Sequence, residues 1–231
     1  MPFHTLTPLE DLAVAHVHAA QRTFAPSGPV SATLSNGAHE LSIAVDQAGA
    51  SHIDRQIFGP HGGHISAAVL TAINTPTVGC RIIHNHPAQG SLSASDWRLM
   101  AAQYPGLDEM IAVNSRGSQF RGKVITAHLS AFMAAIPVPQ EPSMIVEGVT
   151  SRPYYSRYSA LLPTNPNVPS PKGLFDHIGW MFSHIVNLRF EQLGWVEYRA
   201  DLAPDDLSDL NSPAFQPMIQ AATHEAAIMF P

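Results

Sequence analysis

A short apolar segment that ends in two histidines constrains the fold of this chain more than any other feature. Residues 80–86 read Cys-Arg-Ile-Ile-His-Asn-His, and a proline follows. The apolar run over residues 78–84 predicts a strand, and the two-residue period of a strand directs His84 and His86 to one face and Asn85 to the other. Because the proline stops the strand, the two imidazoles are expected where the sheet opens into a loop, a place that is both rigid and accessible.

A carboxylate returns toward these histidines from the next predicted helix. Ser93-Ala94-Ser95-Asp96 begins that helix after a glycine-bearing loop, and Asp96 lies in its first turn. Two imidazoles and one carboxylate, with no fourth protein ligand nearby, are the ligand set of a catalytic zinc, whose open position holds a water molecule. The pattern therefore predicts a Zn²⁺ site formed by His84, His86 and Asp96.

The same residues also have a purely structural interpretation. Ser93-x-x-Asp96 is a capping pattern, with Ser93 as the N-cap and Asp96 as the third helical residue. Leu92 and Trp97 are spaced to form the hydrophobic staple that accompanies such a cap. Two histidines beside a proline also occur in ordinary solvated loops. Capping and metal ligation can coexist, and only the metal site accounts for both halves of the segment.

The order of the predicted elements favours a mixed sheet with helices on both faces. A helix over residues 65–74 carries the chain from an early strand to the histidine strand, which gives a strand–helix–strand crossover. The predicted strands cover residues 30–34, 40–46, 51–58, 78–84, 109–114 and 119–126.

The order His-x-His-Pro, then a serine seven residues after the second histidine, then x-x-Asp, resembles the motif of the JAMM/MPN (Jab) metallopeptidases. The wording His-Asn-His-Pro is closest to the RadC-like and bacterial Jab branches. The loop between His86 and Ser93 is one residue shorter than in many members of the family. The resemblance covers roughly residues 30–126, and it implies an α/β fold with a three-layer α-β-α mixed sheet of the cytidine-deaminase type.

The resemblance also implies roles for individual residues. In this family a glutamate on an early strand, upstream of the histidines, takes the proton of the metal-bound water, and Glu40 is similarly placed. Glu40 opens the strand over residues 40–46 on its less apolar face, and its other interpretation is a solvated carboxylate at a strand end. Ser93 is expected to hydrogen-bond the water or the oxyanion that develops. The implied reaction is hydrolysis of a peptide or isopeptide bond in a protein or peptide substrate.

Two other functions stay open. One is a RadC-like protein associated with DNA metabolism, although a formal net charge of −6 and the lack of a Lys/Arg block argue against nucleic acid as a partner. The other is a catalytically silent MPN-type scaffold that binds another protein. The presence of Glu40, both histidines, Ser93 and Asp96 argues against silence, because a scaffold needs none of these side chains.

The composition indicates a globular chain. Of its 231 residues, 45% are hydrophobic and 13% are charged, which allows a sizeable core. The single cysteine, Cys80, excludes an internal disulfide and fits a reducing compartment. The chain shows neither a signal-peptide pattern nor an apolar run of about 18 residues, so we expect a cytoplasmic protein with no membrane partner.

The composition changes in the last part of the chain. Twelve of the 20 prolines lie in residues 137–231, and this shift predicts a boundary. We therefore expect a JAMM/MPN-like metallopeptidase domain over residues 1–136 and a proline-rich, partly helical extension of unknown role over residues 137–231. Within the extension, the pattern predicts a helix over residues 174–193, capped by Gly194, and a last helix over residues 218–230.

Overall fold

The computed structural model describes residues 3–24, 40–58, 65–86, 90–102, 104–135 and 171–230. Within these residues the chain forms seven helices and six strands, which confirms the predicted α/β class. The helices are α1 (Pro8–Phe24), α2 (Ala67–Ile73), α3 (Ala94–Ala101), α4 (Ala127–Ala135), α5 (Pro171–Gln192), α6 (Pro204–Asn211) and α7 (Gln216–Met229). The strands are β1 (Glu40–Asp46), β2 (His52–Phe58), β3 (Cys80–His86), β4 (Leu107–Asn114), β5 (Gln119–Val124) and β6 (Val196–Asp201).

The six strands form one mixed sheet in the order β2-β1-β3-β4-β5-β6. β3 and β4 are parallel, and every other neighbouring pair is antiparallel. β2 and β3 lie on either side of β1, and α2 connects them, so the predicted crossover is confirmed. Six of the seven residues of β3 are buried, as expected of a central strand that is covered on both faces.

Helices cover both faces of the sheet, as predicted. On one face α1 contributes Val17 to a cluster with Ile83 of β3. On the other face a larger cluster joins Ile82 of β3 to Trp97 of α3 and Trp180 of α5. Because strand side chains alternate, the two histidines of β3 fall on the face of this larger cluster. None of the described helices combines the length and the apolar character that crossing a membrane requires.

A buried ionic network holds the end of the sheet that is farther from the histidines. Arg81, near the start of β3, lies 3.2 Å from a carboxylate oxygen of Glu10 and 3.0 Å from one of Asp108. Arg121 of β5 pairs with Glu109 of β4, and both side chains are almost fully buried. Each of these charges has an opposite partner, which offsets the cost of removing it from water. The network ties α1 to three neighbouring strands.

The residues beyond the predicted boundary contribute to the same sheet and core. β6 pairs with β5 along its whole length: Val196 lies opposite Val124 at one end, and Asp201 lies opposite Gln119 at the other. This strand was not predicted from the sequence. α5 and α7 confirm the two predicted helices, and Gly194 after α5 has a φ of 69°, as a C-cap glycine requires. The boundary itself and the predicted strand over residues 30–34 stay predictions, because residues 136–170 and 25–39 lie outside the described residues.

Candidate metal centre

The three predicted ligands converge where the histidine strand ends. His84 and His86 project from β3, and Asp96 returns from the first turn of α3. Their ligand atoms all lie within 4.8 Å of one another. Nε2 of His84 is 3.2 Å from Oδ1 of Asp96, and Nε2 of His86 is 3.3 Å from Oδ2. The loop that is one residue shorter than in many JAMM/MPN sequences therefore still brings the carboxylate to the imidazoles, and the group, named the metal centre below, can hold a metal ion.

The strand period places Asn85 on the opposite face, as predicted. Its side chain is fully buried, and Oδ1 accepts a hydrogen bond from the backbone N–H of Leu41. The backbone pairing of β1 with β3 ends at Ser42 and His84. The hydrogen bond from Leu41 to Asn85 extends the attachment of the two strands by one residue beyond that pair. The residue between the two histidines therefore holds the strand that carries Glu40.

The electrostatics of the metal centre favour a cation. Burial lowers the pKa of His86, but the carboxylate of Asp96 and, less strongly, that of Glu40 outweigh burial and raise this pKa to about 9. Burial also raises the pKa of Asp96, but His84 and His86 hold it well below its usual range. At neutral pH, His86 is therefore protonated and Asp96 is charged. The Nε2 atoms of the two histidines are 2.8 Å apart, so a proton lies among the ligand atoms where a metal cation can replace it.

Ser93 caps α3 and also contacts the aspartate. Its Oγ accepts a hydrogen bond from the backbone N–H of Asp96 at 3.3 Å, and its own N–H donates to Oδ2 of Asp96 at 2.7 Å, which is a capping box. The Ser93 hydroxyl donates to the same Oδ2 at 2.8 Å. The structural interpretation of this pair is thus confirmed together with the convergence of the ligands. The hydroxyl is directed at the carboxylate in this structure, so its role toward an oxyanion stays a prediction.

The metal centre lies in a cavity of about 420 Å³ whose floor is the sheet. Glu40 and Ser42 of β1 line it beside the ligands, as do Asp54 and Gln56 of β2. Ser42 is paired with His84 in the sheet, and Glu40 lies two residues earlier on the same strand face. The structure therefore places all five residues predicted for the site around one cavity. The described residues that line it include no lysine or arginine.

Known proteins give no direct guide to this cavity. No protein-family model, no curated protein and no solved structure matches the chain. The chemistry of the site therefore has to be argued from the residues that form it.

A buried polar network behind the metal centre was not predicted from the sequence. The side chain of Asn187, on α5, forms hydrogen bonds with three groups in residues 91–97, the segment that carries Asp96. In the sequence Asn187 is one polar residue within a long amphipathic helix. The two segments lie about ninety positions apart, so no local spacing relates them. Only the packing of α5 against α3 reveals the connection.

Proposed function

We propose that this chain is a zinc-dependent hydrolase that cleaves an amide bond in a protein or peptide, as a metallopeptidase or an isopeptidase. The observation that carries the proposal is the convergence of His84, His86 and Asp96 in a cavity that also contains Glu40. The resemblance of the segment to the JAMM/MPN motif supports the same assignment. Each residue that the motif requires faces this one cavity.

The distances among the ligand atoms support zinc as the metal. Zinc bonds of about 2.0–2.1 Å in a tetrahedral site place the ligand atoms about 3.4 Å apart. Each imidazole has one oxygen of Asp96 close to this spacing, Oδ1 at 3.2 Å from His84 and Oδ2 at 3.3 Å from His86, so a small rotation of the carboxylate is needed to bring one oxygen to both. The two Nε2 atoms are 2.8 Å apart and need to separate by about 0.5 Å. Three protein ligands of the N, N, O type leave one tetrahedral position for water or substrate.

Each residue has a defined task in the proposed reaction. Zinc, when bound, polarises a carbonyl group and brings the pKa of a coordinated water to about 7. Glu40 takes a proton from the water as its oxygen attacks the amide carbon, and it gives a proton to the nitrogen as the C–N bond breaks. Ser93 holds the carboxylate of Asp96 in one orientation. We propose a second task for its hydroxyl, whose single proton turns from Asp96 to the developing oxyanion while the backbone N–H of Ser93 keeps its bond to the carboxylate.

The charge of the cavity supports a peptide substrate over a nucleic acid. Besides the ligand Asp96, the cavity contains the carboxylates of Glu40 and Asp54, and its described lining has no lysine or arginine. Binding of a phosphate backbone depends on lysine and arginine. A silent scaffold, in turn, has no need of a carboxylate such as Glu40 beside a set of metal ligands.

We also propose that the α/β fold is of the cytidine-deaminase type that the resemblance implies. Three features support this proposal: the mixed sheet, the helices on both of its faces, and the placement of the ligands on a central strand and on the helix that follows it. The ends of central strands are common positions for catalytic groups in α/β proteins.

Peptide cleavage tests the proposed function. Zinc-loaded protein is incubated with a peptide library and, separately, with peptides joined through a lysine ε-amine, and mass spectrometry detects new amine and carboxyl ends. We expect cleavage of one of the two linkages, its loss on chelation and its return with zinc. Glu197→Gln, on β6, is the matched control for Glu40→Gln and is expected to cleave at the wild-type rate. Zinc-loaded wild type that cleaves neither linkage faster than Glu40→Gln contradicts the proposal.

A further inference from the structure

We infer that Asn187, with Ser91 and Tyr198, positions the metal ligands, so that the carboxyl-terminal part of the chain is a component of the metal centre. The inference deepens the proposed function and rests on it. It assigns a task to residues beyond the predicted boundary, whose role the sequence leaves unknown.

The side chain of Asn187 holds the segment around Asp96 on both sides. Asn187 is 1% exposed, and its Oδ1 accepts a hydrogen bond from Nε1 of Trp97 at 2.7 Å. Its Nδ2 donates to Oγ of Ser91 at 3.0 Å and to the carbonyl oxygen of Leu92 at 3.1 Å. These partners lie immediately before and after the capping box of α3. One amide group therefore fixes the chain on either side of the ligand.

Ser91 extends this support to a second ligand. Its backbone forms a hydrogen bond with the imidazole of His86. Nδ1 of His86 faces the neighbouring Gly90, where an added Cβ would lie only 2.8 Å from it, while Nε2 points into the metal centre. Metal-binding histidines generally donate their other ring N–H to a carbonyl, a carboxylate or water, which fixes the tautomer and the ring orientation. The backbone of Ser91 is a hydrogen-bond partner of the His86 imidazole, and Asn187 holds Ser91.

Tyr198 of β6 and His184 of α5 complete the network. The Tyr198 hydroxyl is 2.8 Å from Oγ of Ser91 and 2.8 Å from Nδ1 of His184. Burial lowers the pKa of His184 to about 4, so its ring is neutral and Nδ1 can accept. One direction of donation satisfies these groups: Asn187 donates to Ser91, Ser91 to Tyr198, and Tyr198 to His184. A satisfied buried network of this kind fixes a single arrangement.

Filling of the core does not require these polar groups. Apolar side chains of the same shape can replace both partners of a buried hydrogen bond with little loss of stability. The polar groups instead determine the orientation of the segment between β3 and the first turn of α3. A site whose ligands come from two elements requires that orientation, because ligand geometry has to be held within about 0.5 Å.

Zinc affinity measured on the full chain tests the inference. Competition with a chelator gives the affinity, and the visible absorption of bound Co²⁺ reports the ligand geometry. We expect Asn187→Leu to weaken zinc binding about 10–100-fold and to change the Co²⁺ spectrum. Tyr198→Phe should act in the same direction with a smaller effect. The control is Val17→Ala, in the core on the other face of the sheet, which should lower the melting temperature and leave zinc affinity and the Co²⁺ spectrum unchanged.

The possible results separate this inference from the proposed function. A folded Asn187→Leu protein with wild-type zinc affinity and a wild-type Co²⁺ spectrum overturns the inference and leaves the proposed function intact. If Asn187→Leu does not fold, Tyr198→Phe, which lacks a single oxygen atom, decides by the same criterion. A wild-type protein that binds no zinc overturns the proposed function and the inference together.

Discussion

Asp96 and Glu40 are two of the three carboxylates among the described residues that line the cavity, and their different surroundings suit them to different chemistry. Asp96 accepts hydrogen bonds from the backbone and the hydroxyl of Ser93 and lies against both imidazoles, so its pKa stays well below the usual range. Glu40 is partly exposed at the beginning of β1, where its charge acts on His86. A carboxylate that is always charged suits a metal ligand, whereas an accessible one in the same cavity suits proton transfer.

Substitution of Glu40 should therefore separate metal binding from catalysis. We expect Glu40→Gln to keep the zinc stoichiometry of the wild type and to lower kcat by about 10²–10⁴-fold, because the amide cannot take a proton from water. Metal analysis and peptide cleavage on the same preparation measure both quantities. Equal kcat values for Glu40→Gln and the wild type would remove Glu40 from the mechanism.

The raised pKa of His86 predicts how the metal-free protein responds to pH. This pKa rises from its usual 6.5 to about 9 in the folded state, so between these values the folded chain binds more protons than the unfolded chain. The stabilisation is fully present below pH 6.5 and is lost as the pH rises through about 9. We expect the free energy of unfolding to fall by roughly 2–3 kcal/mol across this window.

Urea unfolding with excess chelator at several pH values measures this loss. His86→Gln should flatten the dependence, whereas His52→Gln, an exposed histidine at the start of β2, should retain it. A wild-type protein whose metal-free stability rises from pH 6.5 to 9 would contradict the charge assignment of the metal centre.

At the scale of elements, the first turn of α3 combines a helix cap with a metal ligand. Ser93 and Asp96 form a capping box, and the same carboxylate faces both histidines. α2 provides a comparison, because its N-cap Ser66 accepts a hydrogen bond from the backbone of Val69 at 3.1 Å, a cap with no metal ligand attached. The two helices allow the effects of capping and ligation to be measured separately.

Removal of each cap gives a paired prediction. We expect Ser93→Ala and Ser66→Ala each to lower the free energy of unfolding of the metal-free protein by about 0.5–2 kcal/mol, since both lose an N-cap hydrogen bond. Only Ser93→Ala should also weaken zinc binding, because Oδ2 of Asp96 loses one of the two donors from Ser93 that orient it. Chemical denaturation and chelator competition supply the two measurements. A similar change of zinc affinity in both variants would show that Ser93 acts on the ligand only through helix stability.

The features that the sequence predicts correctly arise from local physics. The period of β3 places His84 and His86 together because a strand alternates, and the spacing of Ser93 and Asp96 is that of a helix start. β6 was not predicted. Its Val196 and Tyr198 are buried and alternate with more exposed residues, but this short pattern becomes a strand only through pairing with β5. The contacts of Asn187 were missed for the same reason, because they depend on tertiary packing.

At the scale of the whole molecule, one sheet and one large core extend across the predicted domain boundary. β6 completes the sheet beside β5, and Trp180 and Phe190 of α5 belong to the same cluster as Trp97 and Phe120. The sequence places a boundary near residue 137 because prolines become frequent there. A high proline content marks an irregular part of the chain. It does not reveal that α5 and β6 pack into the same core and sheet as the residues before the boundary.

A truncated chain tests this account. In a chain of residues 1–136 alone, β5 lacks its neighbour β6, and the face of the sheet that α5 covers is exposed. We therefore expect no cooperative unfolding transition and weak zinc binding. The full chain should unfold in a single transition and bind zinc. Thermal unfolding followed by circular dichroism compares the two. A cooperative transition of the truncated chain, with the zinc affinity of the full chain, would establish residues 1–136 as an independent domain.

The metal content of the purified protein tests the central claim most directly. Three proteins are purified in parallel: the wild type, His86→Ala and Glu40→Gln. Each is reconstituted with zinc, separated from unbound metal and analysed by elemental mass spectrometry. The proposed site predicts about one zinc per chain in the wild type and in Glu40→Gln, and a large loss in His86→Ala, which lacks one of three protein ligands. Wild-type protein that retains no stoichiometric zinc after reconstitution would contradict the assignment of His84, His86 and Asp96 as a metal centre.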